Sequence, residues 1–94
     1  MSYENLNDEA LMKAIGEGDE SAFAELVRRH EHNVSQFIDA ILNDENRAIE
    51  LTQETFVRIY PQASRWDESL SITTFIYRIA QNLAIAEIRK RNPH

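Results

Sequence analysis

The chain has no cysteine, which removes disulfides and thiolate metal sites from consideration. Glycine and proline are nearly as scarce, with two of each in 94 residues. Sandwiches and barrels turn every few residues and need more of that punctuation, so the scarcity points to a few long helices. Met1 leads into the polar Ser2-Tyr3-Glu4-Asn5 instead of an apolar leader, and the expectation is a cytoplasmic protein without membrane insertion. A Gly-rich phosphate loop is also missing, as is any convincing acid–base pair. No catalytic residue, metal or cofactor is therefore expected, and the chain does not read as an enzyme.

What is present is one domain's worth of chain, near the lower size limit for a self-sufficient core. Its net charge of -6 argues at first sight against nucleic acid, because phosphate neutralisation normally supplies most of that affinity. The distribution softens the objection. Residues 1–64 hold 5 basic and 13 acidic side chains, whereas residues 65–94 hold 5 basic and 3 acidic. One end is suited to an anion, the other to a basic partner or to water.

Apolar spacing predicts four helices. Asn7 or Asp8 can cap a short first helix through Ala10, Leu11, Ala14 and Ile15, which Gly16 and Gly18 then end. Asp19 opens a helix over roughly residues 20–42, with Phe23, Leu26, Val27, His30, Val34, Phe37, Ile38 and Ile41 on its apolar stripe. Asn43-Asp44 supplies a turn and a cap for a third, striped by Ala48, Ile49, Thr52, Phe56, Ile59 and Tyr60, which Pro61 should end or kink. Residues 62–70 lack periodicity. Ser71 caps a fourth helix with Ile72, Phe75, Ile76, Ile79, Ala80 and Leu83 inward, and Pro93 forbids its continuation. The expected fold is all-α, a compact antiparallel bundle of three long helices plus one short N-terminal helix. Each large apolar side chain buried there contributes roughly 1.5–3 kcal/mol before entropy is subtracted, so the fold needs no metal.

The fourth helix has a second face, where Thr74, Tyr77, Arg78, Gln81, Asn82, Ile85 and Arg89 recur at spacings of three and four. Amides and an aromatic ring suit base edges and base faces, but the same residues also describe a solvated flank. Arg89-Lys90-Arg91 closes the helix, where cations also favour its dipole. Trp66, beside Arg65, is either a stacking platform or a lid on the core. On the third helix, Arg47, Glu50, Glu54 and Arg58 suit a surface ladder better than a metal site, since no histidine lies one turn away. Gln53 beside them makes the strip equally a docking face for a basic helix. His30 and His32 are two apart and face different ways, and His94 lies at the frayed end.

The segments Gly18-Asp19-Glu20-Ser21-Ala22-Phe23-Ala24-Glu25-Leu26, Leu51-Thr52-Gln53-Glu54-Thr55-Phe56, Trp66-Asp67 and Phe75-Ile76-Tyr77-Arg78-Ile79-Ala80-Gln81-Asn82 stand in order along nearly the whole chain. Together they resemble the second conserved region of sigma-70-type factors, specifically the extracytoplasmic-function (ECF) group, the promoter-melting domain. The resemblance implies that Glu50, Gln53 and Glu54 dock on the clamp helices of the largest subunit of RNA polymerase core. It also implies that the loop with Arg65, Trp66, Asp67 and Ser69, and the face with Tyr77, Arg78, Gln81 and Asn82, hold single-stranded promoter DNA, the non-template strand of the minus-10 element. Asn82 would sit beside an extruded base, and Arg89, Lys90 and Arg91 would neutralise phosphates. An anti-sigma factor is a further implied partner.

Three departures accompany the likeness. Phe75 stands where most relatives have Trp, Ile72 where many have Phe, and Glu50 where Asp is commoner. The family's helix-turn-helix domain is absent, and the chain stops at Asn92-Pro93-His94, about where an interdomain linker should begin, so the expectation is an excised domain of a longer protein. The competing reading is a helical protein-interaction module of sigma-like ancestry that binds no DNA, favoured by the acidic first two-thirds.

Overall fold

In the computed structural model, which describes residues 2–92, each helix starts on a side chain that accepts backbone N–H bonds otherwise left without partners. Asn7 accepts from Ala10 at the head of α1 (Asp8–Gly16). Asp19 accepts from Ser21 and Ala22 at the head of α2 (Glu20–Leu42). Asp44 accepts from Arg47 at α3 (Glu45–Gln62), and Ser71 accepts from Thr74 at α4 (Ile72–Arg91). Short 3-10 turns cover Tyr3–Asn5 and Ala63–Arg65. Among the described residues there is no strand.

Two exits depart from the expected pattern. The first helix runs through Gly16, with Gly18 at φ 93 supplying the left-handed turn. Gly16 has another function: a Cβ built there would lie 3.0 Å from the Cα of Ser64, so only glycine lets α1 approach the Ala63–Arg65 turn this closely. Pro61 does not break α3 near Tyr60. It lies one residue before the helix ends, where little of the hydrogen-bond ladder remains to lose, and the chain tightens into the Ala63–Arg65 turn. The expected stop at Pro93 and the position of His94 fall outside the described residues; α4 ends at Arg91, with Asn92 as its C-cap.

Asn43, in the left-handed conformation at φ 52, turns the chain from α2 into α3 within two residues, so these helices run antiparallel. An edge-to-face contact between Phe23, early in α2, and Tyr60, late in α3, confirms it, with centroids 4.9 Å apart. Helix α4 returns along α3: Arg91, at its last turn, reaches the α3 cap Asp44 at 2.7 Å, and Arg47 reaches Glu87 at 2.9 Å. The resulting body measures 49 × 22 × 19 Å.

Leu26, Val34, Ile38, Phe56, Ile59, Ile76 and Ala80 are buried as their spacing predicts, and Leu11 and Ile15 carry α1 into the same core. Met12, Ala22, Leu51, Thr55 and Ala84 join them without having been part of the expected stripes. Thr55 and Thr52 satisfy their buried hydroxyls on the carbonyls of Leu51 and Ala48. Ile49, expected inside, is 46% exposed; Phe75 and Ile79 are only half-buried.

The packing of α1 on α2 is tied by charge. Buried Glu25 accepts from Arg28 and Arg29, and these guanidinium bonds pull its pKa down to about 2. Arg29 also meets Asp8 at 3.1 Å and the carbonyls of Tyr3 and Glu4. His30, read as part of an apolar stripe, instead brings Nε2 within 2.8 Å of the Asp8 carboxylate. The Tyr3 hydroxyl donates to Asp19, which raises the phenol's pKa and lowers the carboxyl's.

Candidate nucleic-acid interface

The segment that carried no periodicity is locked by its own polar groups. The Asp67 carboxylate accepts from the backbone N–H and the hydroxyl of Ser69, which hold its pKa below the ordinary value. The Leu70 N–H donates to the Asp67 carbonyl, and the Trp66 indole Nε1–H donates to the carbonyl of Leu70. Trp66 is half-buried and packed against the core, as a lid would be, while one side borders a groove.

That groove, about 670 Å³ in volume, lies between the end of α3, the 65–70 loop and the first half of α4. Arg58, Arg65 and Arg78 bring three guanidiniums to it. Trp66 and Phe75 supply rings, Leu70 and Ile79 apolar walls, and Asn82, Gln62 and Asp67 hydrogen-bonding groups. Arg65 and Arg78 make no ion pair, and Asn82 no side-chain hydrogen bond, among the described residues. Such groups retain their full capacity for a ligand: cations for phosphate, rings for a base face, an amide for a base edge.

Of the residues expected to hold DNA, Arg65, Trp66, Asp67, Arg78 and Asn82 are thus brought together. Ser69 is exposed and acts on Asp67 rather than lining the groove. Tyr77, expected on the outer face, turns to α2: it is half-buried and stacks edge-to-face on Phe37 with centroids 5.0 Å apart. Gln81 is exposed on the flank, and Arg89 stands two turns beyond Asn82 on the same side. Lys90 borders a different groove, and Arg91 is held by Asp44 and Glu87. Arg58, Gln62, Phe75 and Ile79 were not read as site residues; the first two belong to another helix, and the last two were assigned wholly to the core.

The second groove, about 500 Å³, runs between α3 and α4. Glu50, Gln53 and Glu54 line it together, next to Val57, which is 63% exposed, and opposite Lys90 and Ala86. The expected ladder is present but loose, with Arg47–Glu50 at 3.6 Å and Arg58–Glu54 at 3.7 Å. Arg47 bonds more closely to Glu87, raising the guanidinium's pKa and lowering the carboxyl's. Carboxylates beside exposed Val57 form a surface that suits a basic, partly apolar partner. No group of three or more His, Cys, Asp or Glu side chains placed to hold a metal occurs among the described residues, and no described helix is long and apolar enough to cross a membrane.

Four helices bearing a groove of cations, rings and a free amide define the chain, by fold and site, as a helical bundle with a candidate ligand groove. Comparison with known proteins supplies the family. The model for Sigma-70 region 2 matches residues 26–93, and the chain belongs to that family. It is 34% identical over 82 residues to the ECF RNA polymerase sigma factor SigW of Bacillus subtilis, covering 87% of this chain and 44% of that protein. It is 31% identical over 81 residues to the ECF RNA polymerase sigma-E factor of Haemophilus influenzae, covering 86% and 42%. The chain therefore spans less than half the length of these relatives. A solved structure of an engineered region 2 of sigmaE in complex with GTAAAA superposes with a TM-score of 0.80 at 31% identity, covering 96% of this chain and 97% of that one. The chain is thus a region 2 domain of the ECF sigma-factor type.

Proposed function

We propose that this domain captures the melted non-template strand of a promoter minus-10 element in the α3–loop–α4 groove while its Glu50–Glu54 strip docks on the clamp helices of RNA polymerase. The observation that carries the reading is the convergence of Arg65, Arg78, Trp66 and Asn82, from two separate parts of the chain, on one groove. The superposed sigmaE domain, whose structure was solved with GTAAAA, supports a base-bearing ligand for it. Extruding a base costs a few kcal/mol, and stacking on Trp66 or Phe75 together with an edge contact to Asn82 would offset that. Arg65 and Arg78 would hold the flanking phosphates. With so few cations on an acidic chain, affinity of the isolated domain should be low and strongly salt-dependent, so polymerase would position the DNA.

The reading is tested by titrating a labelled GTAAAA oligodeoxynucleotide and a scrambled control into the 94-residue chain at low salt. Preference for GTAAAA is expected, with Asn82→Ala reducing that preference more than Arg89→Ala does. Equal binding of both sequences, unchanged by Asn82→Ala, would discard strand capture and leave a protein-interaction module. Docking is tested separately: Glu54→Arg should abolish affinity for a polymerase clamp fragment, and retained affinity would remove helix α3 from that role.

A further inference from the structure

The two grooves share one residue from α3: Arg58 borders both of them. Its Nη2 lies 3.7 Å from Glu54 Oε1, one turn earlier on the same helix face, beyond hydrogen-bond length. Both side chains are about half exposed, at 55% and 44%, so the pair is weak and free to rearrange. Glu54 itself lines only the α3–α4 groove.

We propose that Glu54 restrains Arg58 in the free domain, and that a cation engaging Glu54 from the docking groove releases Arg58 to a phosphate of the strand in the neighbouring groove. The inference rests on the assignment of the two grooves made above. A basic partner approaching Glu54 competes with Arg58 for the same carboxylate. The released guanidinium sits on a long flexible stem that already borders the other groove, so no backbone movement is needed. The neighbouring cations do not fit this part. Arg47 is bonded to Glu87 at 2.9 Å and borders the docking groove alone. Arg65 and Arg78 have no carboxylate to leave among the described residues. Docking would thus add a third cation to a groove that offers two unpaired ones, and coupling between the sites would need only this one exchange of partners.

The test is a double-mutant cycle on the 94-residue chain, read as anisotropy of labelled GTAAAA at low salt. Glu54→Gln should tighten binding about 2- to 3-fold, in line with the modest strength of exposed pairs. In the Glu54→Gln background, where Arg58 is released, Arg58→Gln should weaken binding and lower the salt slope by about 0.7, the loss of one phosphate contact on a single strand, and with Glu54 present its effect should be smaller. The double variant should match Arg58→Gln alone. If Glu54→Gln tightens binding equally without Arg58, removal of a negative charge from an acidic chain explains the gain and the coupling is overturned. Glu50→Gln, the same charge change one turn away, should tighten binding less; an equal gain overturns the coupling too. These results are distinguishable from failure of the groove assignment itself, which would appear as loss of preference for GTAAAA over the scrambled sequence in the unmodified chain.

Discussion

Two regions of this domain treat charge in opposite ways. Where α1 packs on α2, Glu25, Arg29, Asp8, Tyr3 and Asp19 satisfy one another, several of them half-buried or buried. At the groove, Arg65, Arg78 and Asn82 face solvent without partners among the described residues. The difference separates side chains that tie the fold together from side chains left open, without reference to any relative. Charges that close on one another hold the fold, and charges left open are available to a ligand. It also qualifies the net charge of -6 as a guide, because much of the acidic excess never confronts the groove.

The contrast can be broken most severely through Arg29. Arg29→Ala strips the buried Glu25 and Asp8 of a cation and frees the carbonyls of Tyr3 and Glu4. A urea unfolding midpoint lowered by more than any substitution of Arg65 or Arg78 is expected; equal effects in both regions would erase the distinction. Gly16→Ala should follow, destabilising by about 1–3 kcal/mol in the same assay, since its methyl meets backbone at Ser64 rather than a side chain that can move away. In the open groove, Arg78→Gln should leave stability within about 0.5 kcal/mol of the parent while weakening GTAAAA binding.

The smallest effect concerns acid. Glu25 has its folded pKa lowered from 4.5 to about 2, so its contribution is fully present above pH 4.5 and is lost as pH falls towards 2. Glu25→Gln should flatten that part of the stability–pH profile without removing it, because Asp19, Asp44 and Glu87 are lowered as well. A profile that keeps its slope across that window would show that the Glu25 cluster does not carry the closed region's acid response.

Most of the fold was legible because helix starts are local chemistry. Asp19, Asp44 and Ser71 act as the caps their positions suggest, and Asn7 wins over Asp8 by accepting the Ala10 N–H. Stripes were less reliable at their edges. A period of 3.6 locates the centre of an apolar face but not its width, which depends on how closely the next helix packs. Tyr77, Ile49, Phe75 and Ile79 all sit on such edges, and their assignments shifted. Arg65, Trp66, Asp67, Arg78 and Asn82 could be expected on one groove because the family resemblance covers their single stretch of chain. Arg58 and Gln62 could not be, since they enter only through the packing of α3 against α4, and nothing in their local sequence marks that neighbour. Glu25 was hidden for a similar reason: a carboxylate at helical spacing reads as surface until two arginines fold over it.

Asp44 makes two bonds at once, Oδ1 accepting the Arg47 N–H that begins α3 and Oδ2 accepting Arg91 at the end of α4. Helix termini ordinarily fray one at a time. Here a single carboxylate clasps a beginning and an ending 47 residues apart, so hydrogen exchange at the first turn of α3 and the last turn of α4 should rise together when Asp44 is replaced by Ala.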